Sequence, residues 1–317
     1  MSTPRDMSTG TEVLVTGAGG FIGSAVVRLL NERGASVRAV LGPPGAPVVK
    51  PPPGVLSIES DIRDLPLLVK VLQGVSVVVH VAGPASVRES FEMPAEYAAT
   101  HVVGTATLLE AARRAGVSRV VHLSSADVYG RSERQPVSED HPLAVRSPYA
   151  AAKAAAEQFV EAFFRSSGLH GVILRPFSIY GPGLSSQSLI GSILEQASRG
   201  NEIWLSDLSP IRDYCYVGDL ADAVVRACHH QSDWTVVNIG SGIGTSVADL
   251  AGSILRILGR SIPVRETPHR QRSKNADIPR LICDPRRALE VLGWRPETSL
   301  ESGLEKTIRW LDESRAS

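Results

Sequence analysis

Cysteine is scarce in this chain of 317 residues. Cys215, Cys228 and Cys283 are scattered and odd in number, which argues against a disulfide framework and against a zinc site, so no metal is expected. Each is expected to be a small buried or half-buried thiol, a usage that suits a reducing cytoplasm. An excess of either charge is lacking too. Lysine plus arginine number 33 and aspartate plus glutamate 33, so no net field favours nucleic acid or an anionic membrane. No uncharged apolar run reaches the roughly 18 residues of a membrane span. The first residues, Met1 to Gly10, are polar and lack the apolar segment of a secretory signal. No internal repeat is present. What remains is an ordinary globular composition, 43% apolar, in a chain long enough for one large α/β unit or two modest domains.

Short β-branched runs alternate with stretches of helical period, the pattern of a parallel sheet covered by helices. Strands are predicted over Glu12–Thr16, Ser36–Leu41, Val55–Glu59, Val75–Val81, Arg119–Ser124, Gly171–Arg175 and Val236–Ile239. Helices are predicted over Phe21–Arg33, Leu65–Gln73, Met93–Ala115 and Tyr149–Arg165. Most strands are continuous apolar runs, as strands buried on both faces require. Between the second and third, Gly42–Gly54 holds six prolines and three glycines and reads as an irregular loop. After Arg175 the rhythm changes, with glycine and proline clustered in Tyr180–Gly183. The expected organisation is a dinucleotide-binding domain of residues 1–180, to whose sheet 231–240 returns. Residues 181–230 and 241–317 form a smaller substrate-binding region.

The first strand leads into Val13-Leu-Val-Thr-Gly-Ala-Gly-Gly-Phe-Ile-Gly23. Gly17 permits a tight bend, Gly20 lets the backbone approach a pyrophosphate, and Gly23 lets the helix pack closely on the strand. The helix N-terminus adds free N–H groups and a partial positive charge. The spacing G-x-G-x-x-G fails because Ile22 occupies its last position, whereas G-x-x-G-x-x-G through Gly17, Gly20 and Gly23 succeeds. The fold class is therefore α/β, a doubly wound Rossmann-type sheet with a smaller C-terminal region. An acid that would accept from an adenosine ribose is missing at the end of the second strand, where Val40, Leu41 and Gly42 stand. No arginine follows for a 2′-phosphate, so NAD and NADP both remain open as cofactor.

Tyr149 and Lys153 are four apart on a predicted helix and share a face. A free tyrosine titrates near ~10, too high for proton transfer at neutral pH. A nearby ammonium and an oxidised nicotinamide would bring it down. Ser125 follows an apolar strand, where its hydroxyl can hydrogen-bond a substrate oxygen.

Five segments occur in one order: Thr16–Gly23, Ser124–Gly130, Tyr149–Lys153, Arg175-Pro-Phe-Ser-Ile-Tyr-Gly-Pro-Gly183 and Arg212-Asp-Tyr-Cys-Tyr-Val-Gly-Asp219. Together they closely resemble the extended short-chain dehydrogenase/reductase family of nucleotide-sugar epimerases and dehydratases, from Val13 to about Trp310. The resemblance implies a catalytic serine, tyrosine and lysine at Ser125, Tyr149 and Lys153. It places Phe21 and Ile22 at the pyrophosphate turn, Asp61 and Ile62 at adenine, Ala82 and Gly83 beside the cofactor, and Phe177 near nicotinamide. Arg212 would hold the substrate diphosphate, for which its planar fork is suited. Arg270, Arg272 and Lys274 lie where the family has another phosphate contact. A homodimer packed through helices including Met93–Ala115 and Tyr149–Arg165 is also implied.

Two residues depart from the family. His101, in His101-Val-Val-Gly-Thr105, replaces an asparagine and is expected to be a satisfied helix histidine. Ser178 replaces an asparagine that contacts substrate. His229 and His230 are expected to form a solvated helix end.

The favoured activity is a nucleotide-sugar 4-epimerase passing through a 4-keto sugar, a reading that slightly favours NAD. Its rival is an NADPH-dependent 4-ketoreductase of a 4-keto-6-deoxy sugar. A dehydratase is disfavoured because Ala126 and Asp127 follow Ser125, where dehydratases often carry two acids. Asp127 is expected to serve the turn before Tyr129 and Gly130. A binding protein without turnover would not need Ser125, Tyr149 and Lys153 intact.

Overall fold

The computed structural model describes residues 11–45, 48–230, 234–267 and 278–316. Its strands are β1 (Glu12–Thr16), β2 (Ser36–Val40), β3 (Leu56–Ile58), β4 (Val77–His80), β5 (Arg119–Leu123), β6 (His170–Pro176), β7 (Ser178–Tyr180), β8 (Ile203–Leu205), β9 (Ile211–Tyr216), β10 (Trp234–Ile239), β11 (Gly244–Ser246), β12 (Val264–Glu266) and β13 (Arg280–Leu281). Its helices are α1 (Phe21–Glu32), α2 (Leu65–Val71), α3 (Val87–Glu92), α4 (Pro94–Ala98), α5 (Gly104–Ala115), α6 (Pro148–Ser166), α7 (Leu189–Arg199), α8 (Val217–Cys228), α9 (Val247–Ile257), α10 (Arg286–Leu292) and α11 (Leu300–Ala316). Among the described residues no helix is long and apolar enough to cross a membrane.

The valine-rich runs do what their composition demands. Val13, Leu14 and Val15 of β1 are fully buried, as are Val78 and Val79 of β4. Seven strands form one parallel sheet in the order β10-β6-β5-β4-β1-β2-β3. One face packs on α1, α8 and α10 through Val26, Leu30, Leu220, Val224 and Leu292. The other packs on α2, α5 and α6 through Leu68, Leu108, Val160 and Phe164. The strand order reverses between β1 and β4, which opens a crevice at the carboxyl ends of the strands, where such sheets bind ligands. Register also sets Thr16 beside His80 and His80 beside His122, a polar row across three strands above that second apolar layer.

In the C-terminal part β9 pairs with β7 and β13 in parallel and with β11 antiparallel, while β8 pairs with β12. Ile193, Leu250, Ile254 and Leu304 build its core between α7, α9 and α11. His229 caps the end of α8 and is half-buried with His230, not solvated as expected.

The helix predicted over Met93–Ala115 is broken. It forms α4, a π turn at Ala99–Val103 and α5, and α3 precedes it unforeseen. The hydroxyl of Thr105 donates to the carbonyl of His101 inside this turn. A side chain that takes a helix carbonyl loosens the ladder there, and hydrophobic periodicity does not register one extra residue per turn.

Candidate active site

Chain direction at the end of β1 depends on two missing side chains. Gly17 has φ 65°, and a Cβ there would lie 2.7 Å from the Cα of Ala82. At Gly23 a Cβ would lie 2.0 Å from the carbonyl oxygen of Gly17, so α1 approaches β1 only because that atom is absent. Gly20 differs. It is exposed, caps α1 without a side-chain hydrogen bond, and would bring a Cβ no closer than 3.3 Å to the Gly17 oxygen. The first turn of α1 holds no acidic residue, so its N–H groups stay available to an anion. This cradle fits the pyrophosphate of a dinucleotide.

Phe21 is half-buried towards Gly183, and Ile22 rests on the core beneath α1. Val49 of the proline-rich loop donates its N–H to the carbonyl of Gly19 at 2.8 Å, and Val48 lies over Gly19. That return of the loop was missed from sequence, where the valine pair is its one hint. Ile62 packs on Gly104, whose missing Cβ would otherwise lie 2.4 Å from it. Asp61 is gripped by Arg63 through the backbone N–H at 2.8 Å and Nε at 2.9 Å. That hydrogen-bonded guanidinium holds the Asp61 carboxyl below its usual range.

Ser147 starts α6 by accepting from the Ala150 N–H at 3.1 Å, with Pro148 in the first turn. Tyr149 and Lys153 then turn inward together, 7% and 5% exposed. Ser125 caps the short turn Ala126–Tyr129, its Oγ accepting from the Asp127 N–H at 3.1 Å, and it hydrogen-bonds Tyr149. The structure thus brings the three expected catalytic side chains to one place. The Nζ of Lys153 donates to the carbonyl of Leu123 at 2.8 Å, which ties α6 to the end of β5.

Burial dominates their electrostatics. Burial, with the Asp127 carboxylate second, pushes the Tyr149 phenol up, while the hydrogen bond from Ser125 acts the other way. The ammonium of Lys153 is held by the Leu123 carbonyl. Burial lowers Lys153 to about 8, against the pull of Glu157. The turn bonds around Asp127 come from its backbone: its N–H reaches Ser125 and its carbonyl accepts from Gly130. Its carboxylate acts on Tyr149.

Phe177 joins Ala126 and Val128 in a small apolar cluster, which puts it against the Ser125 turn. Ser178 pairs with Tyr214 across β7 and β9. Arg212 is half-buried on β9, and its Nη1 donates to the Ile211 carbonyl at 3.0 Å. The next residue, Asp213, is fully buried and accepts from the N–H groups of Ser241, Gly242 and Cys283 at 2.7, 2.8 and 3.1 Å, which fixes the strand that carries Arg212. Arg270, Arg272 and Lys274 lie outside the described residues.

A buried support went unread in the sequence. Arg175 donates to Glu157 through Nε at 3.0 Å and Nη2 at 2.6 Å, and to the Tyr129 hydroxyl at 2.8 Å. That hydroxyl donates to Asn238 at 2.7 Å. The Ser125 turn, the helix of Tyr149 and Lys153, and β10 are joined through one guanidinium.

Residues 13–240, most of the chain, match the model of the NAD-dependent epimerase/dehydratase family. The chain belongs to this family. A UDP-glucose 4-epimerase from Mycolicibacterium smegmatis is 35% identical, over 94% of this chain and 97% of that protein. The structure of a UDP-glucose 4-epimerase from Thermotoga maritima, solved with UDP-glucose, superposes with a TM-score of 0.89 at 32% identity, covering 96% of this chain and 99% of the other. A dTDP-glucose 4,6-dehydratase from Streptomyces venezuelae, solved with NAD, gives 0.86 at 30% identity, covering 96% and 98%. Family membership makes this an NAD-dependent enzyme, with the sheet and glycine turn of the extended short-chain dehydrogenases.

Proposed function

We propose that the protein is a nucleotide-sugar 4-epimerase. The observation that carries this reading is the meeting of Ser125, Tyr149 and Lys153 beside the glycine cradle, with the inert Ala126 where a dehydratase would set its first acid. Gly17, Gly20, Phe21, Ile22, Gly23, Asp61, Ile62, Ala82, Gly83 and Phe177 would hold NAD together with Tyr149 and Lys153. Bound NAD supplies a hydride acceptor that also returns the hydride. Tyr149, as phenolate, takes the proton of the C4 hydroxyl and later gives it back. Ser125 hydrogen-bonds the same oxygen, and the positive charge of Lys153 favours the phenolate. Between the two transfers the 4-keto sugar turns its other face. NAD is chosen over NADP because structural relatives were solved with it; the Leu41–Gly42 corner offers neither acid nor arginine to select.

Within residues 181–230 and 241–317, the parts other than α8 and α10, which pack on the parallel sheet, are assigned to the sugar nucleotide. Arg212 would fork onto the diphosphate with Ser178 near the sugar, and Arg272 or Lys274 would add charge. Arg212→Lys keeps the charge and loses the fork, so KM is expected to rise more than kcat falls. An unaltered KM in steady-state kinetics would make Arg212 structural. Two copies are proposed to pair through the helices around Phe91, Met93, Val103 and Phe159, which are all exposed.

The position of Asp127 favours dehydration as the second reading, since its carboxylate is near enough to Tyr149 to raise it. Parent enzyme and Asp127→Asn are to be incubated with UDP-, dTDP- and GDP-sugars and the products read by NMR. The expected product is inverted at C4 in both, with no net change in cofactor. A 4-keto-6-deoxy product from the parent, lost in Asp127→Asn, would replace the epimerase by a dehydratase. Stoichiometric consumption of NADPH with a 4-keto sugar would mark a ketoreductase.

A further inference from the structure

The π turn at Ala99–Val103 opens around one buried side chain, His101, which is 2% exposed. Such turns inside helices are rare and recur at functional sites. The hydrogen bonds of His101 assign its protons. The Pro84 carbonyl, 2.9 Å from Nε2, can only accept, so Nε2 carries the hydrogen and Nδ1 the lone pair. The backbone carbonyl of His101 takes the hydroxyl hydrogen of Thr105. Thr105 Oγ1 must then accept from His80 Nε2, 2.9 Å away. His80 Nδ1 is left to accept from the Thr16 hydroxyl at 2.8 Å, and the Thr16 oxygen accepts from the Ala82 N–H at 3.3 Å. One directed chain therefore leads from the Ala82 amide through Thr16, His80 and Thr105 to the backbone of His101, whose ring comes back to Pro84. Residues 82–84 are clasped at both ends.

Gly83, between them, lies against the ring, and a Cβ there would stand 2.2 Å from its Cε1. His101 also meets Tyr149 edge to face with centroids 5.7 Å apart, and Tyr97 stands 5.9 Å away. Burial, helped by the charge of Lys153, lowers His101 to about 3, so the imidazole stays neutral and keeps this donor pattern. An imidazole here can do two things that an apolar ring cannot do together: hold a backbone carbonyl and press on the phenol.

We propose that His101 is a positioning residue, whose Nε2–H holds the Ala82–Pro84 segment in register with the ring of Tyr149. The proposal rests on the reading of Tyr149 as proton acceptor and of Ala82 and Gly83 as flanking the cofactor. Two variants separate ring from hydrogen bond. His101→Phe keeps a flat ring without the N–H; His101→Gln carries an N–H of similar reach without the ring. In NAD-loaded enzyme, His101→Phe is expected to lose about 10²-fold in kcat with KM within about threefold, and His101→Gln to recover at least about tenfold of that loss.

A second readout does not depend on turnover. In 15N-labelled NAD-loaded protein, His101 is expected as the Nε2–H tautomer, with the Ala82 and Gly83 amide signals displaced in His101→Phe and restored towards the parent in His101→Gln. Parent-like kcat in His101→Phe, or an Nδ1–H tautomer, would overturn the proposal. Failure of the epimerase reading would show differently, as no C4 inversion by the parent with any sugar while tautomer and amide signals still follow the clasp.

Discussion

Tyr149→Phe is expected to lower kcat by about 10²–10⁴, the usual worth of a positioned acid–base group. The substitution removes one oxygen from a ring that is otherwise packed by Tyr97 and His101. Ser125 loses its bond to the phenol but still accepts from the Asp127 N–H, so its turn remains capped. NAD affinity, measured by titration of apo-protein, should change little, because the pyrophosphate cradle lies on β1 and α1. Turnover within about tenfold of the parent would show that another group takes the proton. The parent should also lose activity as pH rises through about 8, where Lys153 gives up its charge. The sign follows from the role: the ammonium favours the phenolate, and the neutral amine does not. A flat kcat profile from pH 7 to pH 9 would count against that electrostatic part.

Arg175→Met is expected to cost about 3–5 kcal/mol of unfolding free energy, as removal of one partner of a buried ion pair does. Arg175 and Glu157 side chains are 7% and 3% exposed, so bulk solvent has little access to replace a bidentate fork. Methionine fills much of the volume but leaves the Glu157 carboxylate buried without its cation. Tyr129 loses its donor as well as the guanidinium over its ring at 4.9 Å. Urea denaturation of the parent, Arg175→Met and the double variant Arg175→Met/Glu157→Leu separates the causes. The double variant should regain most of the loss, because it buries no orphan charge. Equal instability of the two would mean that the stack on Tyr129, not the unpaired carboxylate, carries the cost.

The two networks differ in how far they could be read. A four-residue spacing on a helix puts Tyr149 and Lys153 on one face whatever lies opposite. Glycines three apart after an apolar strand likewise specify their own turn, since the demand for no Cβ at Gly17 and Gly23 is met within a few residues. Apolar runs long enough only for strands imply a sheet buried on both faces. These are local constraints, and they reach as far as the fold class and the identity of the acid–base helix.

Which faces meet is another matter. That Ser125 finds Tyr149, that Lys153 bonds the Leu123 carbonyl, and that Arg175 ties Glu157 to Tyr129 all depend on strand order and on the seating of α6 against β5 and β6. Asp61 is placed at adenine by the family resemblance, which gives no sign that a neighbour two residues away grips it. His101 reads as an ordinary helix residue because the extra residue of a π turn leaves no periodic trace. Spacing along the chain determined which side chains share a face. Only the tertiary packing decided which of those faces are dry, and burial is what sets the proton affinities of Tyr149, Lys153 and His101.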